Sequence, residues 1–318
     1  MLYISISCGV PQGSVLGPTL FLIYINDLPN SSTYFNFRLF ADDSNLFHTF
    51  PPDKSNIDLT VVSRKIRDVV VWCNSNKLTI NVDKTKYVLF KSRRRKYEIS
   101  GQLIINESVL ESVESTSFLG ICIDEKLAWK KHINSVCNVL SKKIGLLYRI
   151  RHFVSRKILV MLYNAFIIPH ITYGLEVWGA ACKTFLNPIL ILQKRMARVI
   201  TFKDRKHHSN PLFLELNLLD VFKEYRYLTG IFMYDLFNNN LPHGISDYFS
   251  FIDHMYQTRN KEKCNLKIEA IRTNVGKQSI SYAGAVIWNS IPTMLRNITS
   301  RKKFSRDLKK NLLEEYKA

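Results

Sequence analysis

Two adjacent carboxylates, Asp42 and Asp43, are the residues in this chain best suited to chemistry. Paired acids at a turn offer oxygen ligands to a hard divalent cation. An ordinary acidic turn explains the same pair, because Asp is a favoured turn residue. The flanking residues say where the pair sits. Phe35, Phe37, Leu39 and Ala41 alternate with Asn36 and Arg38, which is the period-two pattern of a strand. Leu46, Phe47 and Phe50 form a second short apolar run. The spacing predicts a hairpin over 34–50 with both aspartates at its tip, broken by Pro51-Pro52.

Upstream, Gly9-Val10-Pro11-Gln12-Gly13 reads as a glycine loop, after a short strand over 1–8. Gly17-Pro18 opens a helix, with Pro tolerated in the first turn. Leu20, Ile23, Tyr24 and Leu28 supply its apolar face, and Pro29 and Asn30 end it. A glycine loop opening a helix is a generic phosphate-packing device. Each glycine alone equally marks a tight turn.

Gly9 to Pro18, followed by Phe40-Ala41-Asp42-Asp43, resembles the reverse transcriptases of non-LTR (LINE-type) retrotransposons. The resemblance implies an RNA-directed DNA polymerase acting on an RNA template, a DNA primer and dNTPs. It implies that Pro11, Gln12, Gly13, Phe40 and Ala41 border the templating base and incoming nucleotide, with Pro11 shaping the loop. It implies that Asp42 and Asp43 hold Mg2+ (or Mn2+) for two-metal nucleotidyl transfer. Lys84, in Asn81 to Phe90, matches the lysine proposed to protonate the pyrophosphate leaving group. A surface lysine at a turn is an equal reading. Phe118-Leu119-Gly120 to Asp124, then Leu127, Trp129 and His132-Ile133, resembles the primer grip, with Leu119 and Gly120 approaching the primer terminus.

At 318 residues the chain can bury a sizeable core and suggests roughly two domains. Its 46% hydrophobic and 12% aromatic content is globular rather than disordered. Six cysteines show no C-x-x-C spacing, which points to reduced, mostly core thiols. The first residues lack a secretory signal. Residues 158–168 are too short to span a bilayer, so no membrane partner is expected. An intracellular location follows, nuclear or cytoplasmic and not secreted. Nothing in the residues sets an oligomeric state.

The charge is uneven. Residues 1–83 hold six Lys/Arg and seven Asp/Glu, which leaves 39 of the 45 basic and 19 of the 26 acidic residues in the remainder. Such a basic excess points to nucleic acid as the partner.

Helices are expected over 54–76, 130–150, 155–168, 184–202, 220–239 and 300–316. In the first, Ile57, Val61, Val62, Ile66, Val69, Val70 and Cys73 form the apolar stripe. In 130–150, Ile133, Val136, Cys137, Leu140, Ile144, Leu147 and Tyr148 make one face, and Lys130, Lys131, Lys142 and Lys143 lie around the other. A basic face suits contact with nucleic-acid backbone, though any soluble amphipathic helix has a polar face. Lys91 to Lys96 is a basic run that suits a phosphate contact, a localisation patch or a solvated turn. His170 reads as a structural hydrogen-bonding residue. Residues 97–113 alternate as strands around a turn at Asn106-Glu107-Ser108.

The fold class is therefore α+β, with a partial polymerase palm over 1–129, a basic helical thumb-like region over 130–203 and a helical tail over 204–318. The resembled family takes a further catalytic Asp and its fingers from upstream of the glycine loop. Eight residues precede Gly9 here. The resemblance thus implies a fragment that does not polymerise alone. Alternatives are a non-catalytic nucleic-acid-binding remnant, an inert gene fragment and an intron-encoded reverse transcriptase.

Overall fold

The computed structural model describes residues 13–51, 55–92, 95–242, 244–250 and 265–317. The strand expected over 1–8, the loop residues Pro11 and Gln12, and Pro52, Lys54, Arg93 and Arg94 lie outside the described residues. The protein is α+β, combining helices with small two-stranded sheets. It divides into two compact units, Met1–Thr116 and Ser117–Ala318. Among the described residues, no helix is long and apolar enough to cross a membrane.

In the first unit, helix α1 (Gly17–Ile25) carries Pro18 in its first turn. It buries Ile25, and Leu28 is buried just beyond it, while Leu20, Ile23 and Tyr24 are exposed. The expected apolar face is therefore rotated. The inward positions Phe21, Ile25 and Leu28 also satisfy helical spacing, and a mostly apolar helix leaves the choice to packing. Strands β1 (Asn36–Phe40) and β2 (Asp43–Phe47) form the expected hairpin. Strand β3 (Asn56–Asp58) then takes Ile57 out of the predicted helix, and α2 runs Leu59–Ser75. The Asp58 carboxylate accepts from Thr60 N at 2.9 Å and so fixes the helix start. Leu59, Val62, Val69 and Cys73 are buried on α2, whereas Val61 is exposed. The stripe through Leu59, Val62, Val69 and Cys73 leaves Val61 on the solvent side.

Strands β4 (Lys86–Tyr87), β5 (Glu98–Ser100), β6 (Ile104–Ile105), β7 (Ser108–Val109) and β8 (Glu111–Ser112) complete this unit. β3 pairs with β5 and β4 with β8, both parallel. β6 and β7 are joined by Asn106 and Glu107, both at positive φ (+48° and +64°), the signature of a tight primed turn. Leu103, Ile105 and Leu110 face the core, but Val109 faces solvent, opposite to its neighbour as strand alternation requires.

The hairpin of β9 (Ser115–Phe118) and β10 (Ile121–Asp124) leads into the helices of the second unit. These are α3 (Lys130–Ile150), α4 (Arg156–Phe166), α5 (Ile168–Thr172), α6 (Leu175–Trp178), α7 (Lys183–Thr201), α8 (Asn210–Glu215) and α9 (Val221–Phe237). After them come α10 (Ile280–Ser290), α11 (Thr293–Arg296) and α12 (Arg301–Glu314). Ser155 caps α4 by accepting from Ile158 N. Ser300 precedes α12 without a side-chain cap. One core gathers Leu140, Ile144, Leu159, Ile171, Trp178 and Met196 from α3 to α7. Each fully buried leucine or isoleucine there contributes about 2 kcal/mol of transfer free energy. A second core joins α9, α10 and α12 through Met233, Tyr234, Trp288, Phe304 and Leu308. At its edge the Tyr316 hydroxyl donates to the Asp220 carboxylate at 2.7 Å and accepts from Asp220 N at 2.8 Å. Glu315 pairs with Lys223 and Arg226, at 2.7 Å each. Among residues expected on the buried side of α3, Tyr148 is exposed and Cys137 only half-buried.

Candidate active site

The register Phe40↔Asp43 closes the first hairpin with just Ala41 and Asp42 between the strands. Asp42 is thus a turn residue, while Asp43 opens β2. Ala41 has φ +49°. That left-handed conformation costs a non-glycine residue of order 1 kcal/mol. Phe40, Ala41, Asp42 and Asp43 are all exposed. Among the described residues neither carboxylate is engaged in a hydrogen bond or ion pair. The buried rings of Phe35, just before β1, and Phe37, paired with Leu46, anchor the base of the hairpin. Its solvent-exposed tip is left to the acids.

Two unengaged carboxylates have the right donor chemistry for a hard cation. Among the described residues no group of three His, Cys, Asp or Glu side chains comes together. Asp42 and Asp43 therefore fit a metal ion as part of a ligand set. Gly13 has φ +88° and open space where a Cβ would be.

Lys84 is exposed and lies before β4, in a turn organised by Asn81. The Asn81 side chain accepts from Lys84 N at 3.1 Å, and the Asn81 carbonyl accepts from the Thr85 hydroxyl at 2.8 Å. The turn sets the Lys84 backbone and leaves its ammonium in solvent.

The second unit has its own tight tip. Leu119 (φ +47°) and Gly120 (φ +77°) form the β9–β10 turn. An added Cβ at Gly120 would sit 3.5 Å from the Tyr173 ring, an ordinary contact, so glycine answers to φ rather than to space. The Tyr173 hydroxyl donates to the Leu119 carbonyl at 2.7 Å. Trp178 Nε1 donates to the Tyr173 carbonyl at 3.0 Å. On β10, Cys122 N donates to His132 Nδ1 at 3.3 Å. The His132 ring meets Trp178 edge-on at 5.2 Å. Burial holds His132 below the usual imidazole range, which suits an acceptor nitrogen. A cavity of about 490 Å³ lies beside this turn, lined by Gly120, Cys122, His132, Ser135, His170 and Tyr173 among others.

Asp124 ends β10 and organises the entry to α3. Its carboxylate accepts from the backbone amides of Lys126, Ala128 and Trp129 at 2.8–3.1 Å. Trp129 takes φ +63° there and buries its ring.

The four lysines of α3 are not equivalent. Lys131 and Lys142 are exposed, and Lys130 is exposed with its ammonium 6.0 Å from the Phe185 ring. Lys143 instead donates to the Phe166 carbonyl at 3.1 Å, contacts the His170 ring and lies over Phe166. It ties α3 to the α4–α5 junction. Partial burial and then the Lys143 charge lower the basicity of His170.

Sequence reasoning missed Asp124, His132, Tyr173 and Trp178 as a bracing network, and Gln193 in the core. Gln193 donates to the Tyr163 hydroxyl and the Leu219 carbonyl and accepts from Val221 N at 2.7 Å. The readable signal at Asp124 was turn chemistry, an Asp whose carboxylate accepts from the backbone amide two residues on.

Residues 3–123 match the family described as reverse transcriptase (RNA-dependent DNA polymerase). The chain is 28% identical over 233 residues to a probable RNA-directed DNA polymerase from transposon X-element of Drosophila melanogaster. It is 31% identical over 207 residues to the RNA-directed DNA polymerase from mobile element jockey of Drosophila funebris. Residues 3–123 are reverse transcriptase sequence, of the non-LTR retrotransposon kind. The matches cover 69% and 62% of this chain but 24% and 22% of those two proteins, so the chain spans about a quarter of the length of these relatives. No solved structure matches it. Both aspartates, Lys84 and the Leu119-Gly120 turn fall inside the matched reverse transcriptase segment.

Proposed function

We propose that this chain supplies part of the palm and a thumb-like helical region of an RNA-directed DNA polymerase. Residues 1–129 would be palm, 130–203 thumb and 204–318 a tail, with RNA template, DNA primer and dNTP as partners. The observation that carries the reading is the exposed, unengaged acid pair at the tip of a hairpin within the reverse transcriptase segment.

In this reading Asp42 and Asp43 hold Mg2+ or Mn2+ through their carboxylate oxygens. Bound there, divalent ions would activate the primer 3′-OH and stabilise the leaving pyrophosphate. The backbone kink at Ala41 orients the two acids. Phe40 and Ala41, with Gly13, border the nucleotide. Lys84 would meet developing negative charge on the leaving group. The rigid Leu119-Gly120 turn would support the primer end. Lys130, Lys131 and Lys142 offer exposed charge to backbone phosphates, and Lys143 shapes the helix junction behind them.

Two ions require more oxygen donors than two carboxylates provide. The chain by itself is therefore expected to bind primer–template without extending it. A polymerase that carries these residues should extend a primer on RNA with Mg2+ and lose at least about 1,000-fold in rate on Asp42→Asn, for loss of several kcal/mol of charge stabilisation. Extension that survives both Asp42→Asn and Asp43→Asn sinks the reading. The basic excess beyond residue 83 also supports a second reading, a nucleic-acid-binding remnant without catalysis. Its mark would be salt-sensitive RNA or duplex binding that survives Asp42→Asn/Asp43→Asn, with no primer extension.

A further inference from the structure

We propose that the end of α3 and the loop after α7 form a stacking platform for single-stranded nucleic acid. The site lies wholly in the second unit. It goes beyond the polymerase reading and does not depend on Asp42 or Asp43.

Three large aromatic side chains there stay in solvent: Tyr148 is 47% exposed, Phe153 85% and Phe202 48%. Large aromatic rings normally pack away, so three exposed ones in two neighbouring segments call for a partner. They are arranged with cations. The Arg151 guanidinium lies 4.3 Å from the Tyr148 ring centre and 5.7 Å from that of Phe202. The His152 ring is 5.7 Å from Phe202. Arg151 Nε donates to His152 Nε2 at 3.0 Å and ties the two flat groups together. The result is a cluster of exposed rings around one guanidinium, with His152 tilted 59° to Phe202.

The supporting backbone is fixed. Phe202 follows α7 with φ +54°, and Lys203 N donates to the Arg198 carbonyl at 3.0 Å. Arg198 Nε donates to the His207 carbonyl at 2.9 Å, which folds the basic loop back onto its helix. Phe153 is placed by a turn in which its N–H donates to the Ile150 carbonyl at 2.9 Å.

Charge selects the partner. Residues 148–153 and 198–208 contain six Lys/Arg and one acid, Asp204. Among the described residues none of these six cations is in an ion pair. A polyanion satisfies them. A duplex keeps its bases stacked on one another and has no use for protruding rings, whereas an unpaired strand can lay bases on aromatic and guanidinium faces. Single-stranded nucleic acid uses both features at once.

The test is fluorescence anisotropy of the full chain with labelled 20-mer oligo(U), oligo(dT) and an RNA–DNA duplex of the same length. Phe153 touches little, so Phe153→Ala should leave the melt unchanged. It should weaken single-strand binding about 5- to 100-fold, the loss of one stacked base, and change duplex binding less than two-fold. Phe153→Tyr should restore it. Lys203→Gln/Lys206→Gln should lower the slope of log affinity against log salt by about 0.7 per lost phosphate contact. The ratio of oligo(U) to oligo(dT) affinity then assigns RNA or DNA as the occupant. Unchanged single-strand binding in Phe153→Ala/Phe202→Ala, or an equal loss on duplex, overturns the proposal. The aspartate variants read primer extension alone, so this proposal and the polymerase reading fail separately.

Discussion

The tips of two hairpins, Phe40–Asp43 and Phe118–Ile121, solve the same backbone problem with opposite surroundings. Each joins its strands through two residues and starts with a non-glycine residue at positive φ, Ala41 or Leu119. The first tip is bare, with every side chain from Phe40 to Asp43 in solvent. The second is braced from behind: Tyr173 holds the Leu119 carbonyl, His132 holds Cys122 N, and Asp124 holds the amides beyond β10. An acid pair that gathers cations gains from carboxylates with no competing partner. A turn that supports something else by its backbone gains from rigidity. Side-chain partners thus separate two tips that the turn geometry alone does not.

The contrast breaks hardest at Trp178, which is fully buried, packs on His132 and donates to Tyr173. Trp178→Ala should cost about 3–5 kcal/mol in denaturant unfolding followed by a second-unit signal. Hydrogen exchange at the first hairpin should not change.

Acidification should also separate the tips. His132 has its folded pKa depressed by burial, so the unfolded chain takes up the proton first, near the ordinary imidazole value of about 6.5. The stability this neutral ring contributes is present above that value and is lost as pH falls below it. Protonation also removes the acceptor for Cys122 N. Amide exchange at Cys122 should rise between neutral pH and pH 5 beyond its intrinsic pH dependence, and His132→Asn should flatten the trend.

A smaller effect is expected at Tyr173. Tyr173→Phe removes one hydroxyl donor to the Leu119 carbonyl, worth about 1 kcal/mol. Thermal melts should register it, along with faster exchange across the Leu119-Gly120 turn. The smallest change should come from Ala41→Gly, which relieves a left-handed alanine and should stabilise the first hairpin by roughly 0.5 kcal/mol. A loss of stability there would mean that Ala41 is held by contacts rather than strained.

Local periodicity made the turn of the first hairpin readable to within a residue, and its ends to within three, because strand alternation and a two-residue turn are both short-range. The body of α3 was readable for the same reason. What failed were choices that distant packing makes. Leu28 turns inward as expected, but nothing near α1 tells that Ile25 joins it while Leu20 and Ile23 stay out. Strand β3 needs β5, some forty residues on, before Ile57 reads as strand rather than helix. Of the functional candidates, the Asp42-Asp43 tip was legible from residue type and turn chemistry. The network behind Leu119-Gly120 was not, since it joins a tyrosine to a carbonyl across 54 positions. Lys143 read as one more surface cation, yet it contacts His170 across 27 positions.

The lock between Tyr316 and Asp220 spans 96 positions. A ribosome therefore delivers α9 long before the segment that covers it, and the apolar side of α9 waits for α12. During synthesis the second core therefore stands half-assembled, its apolar side uncovered, until α12 has emerged.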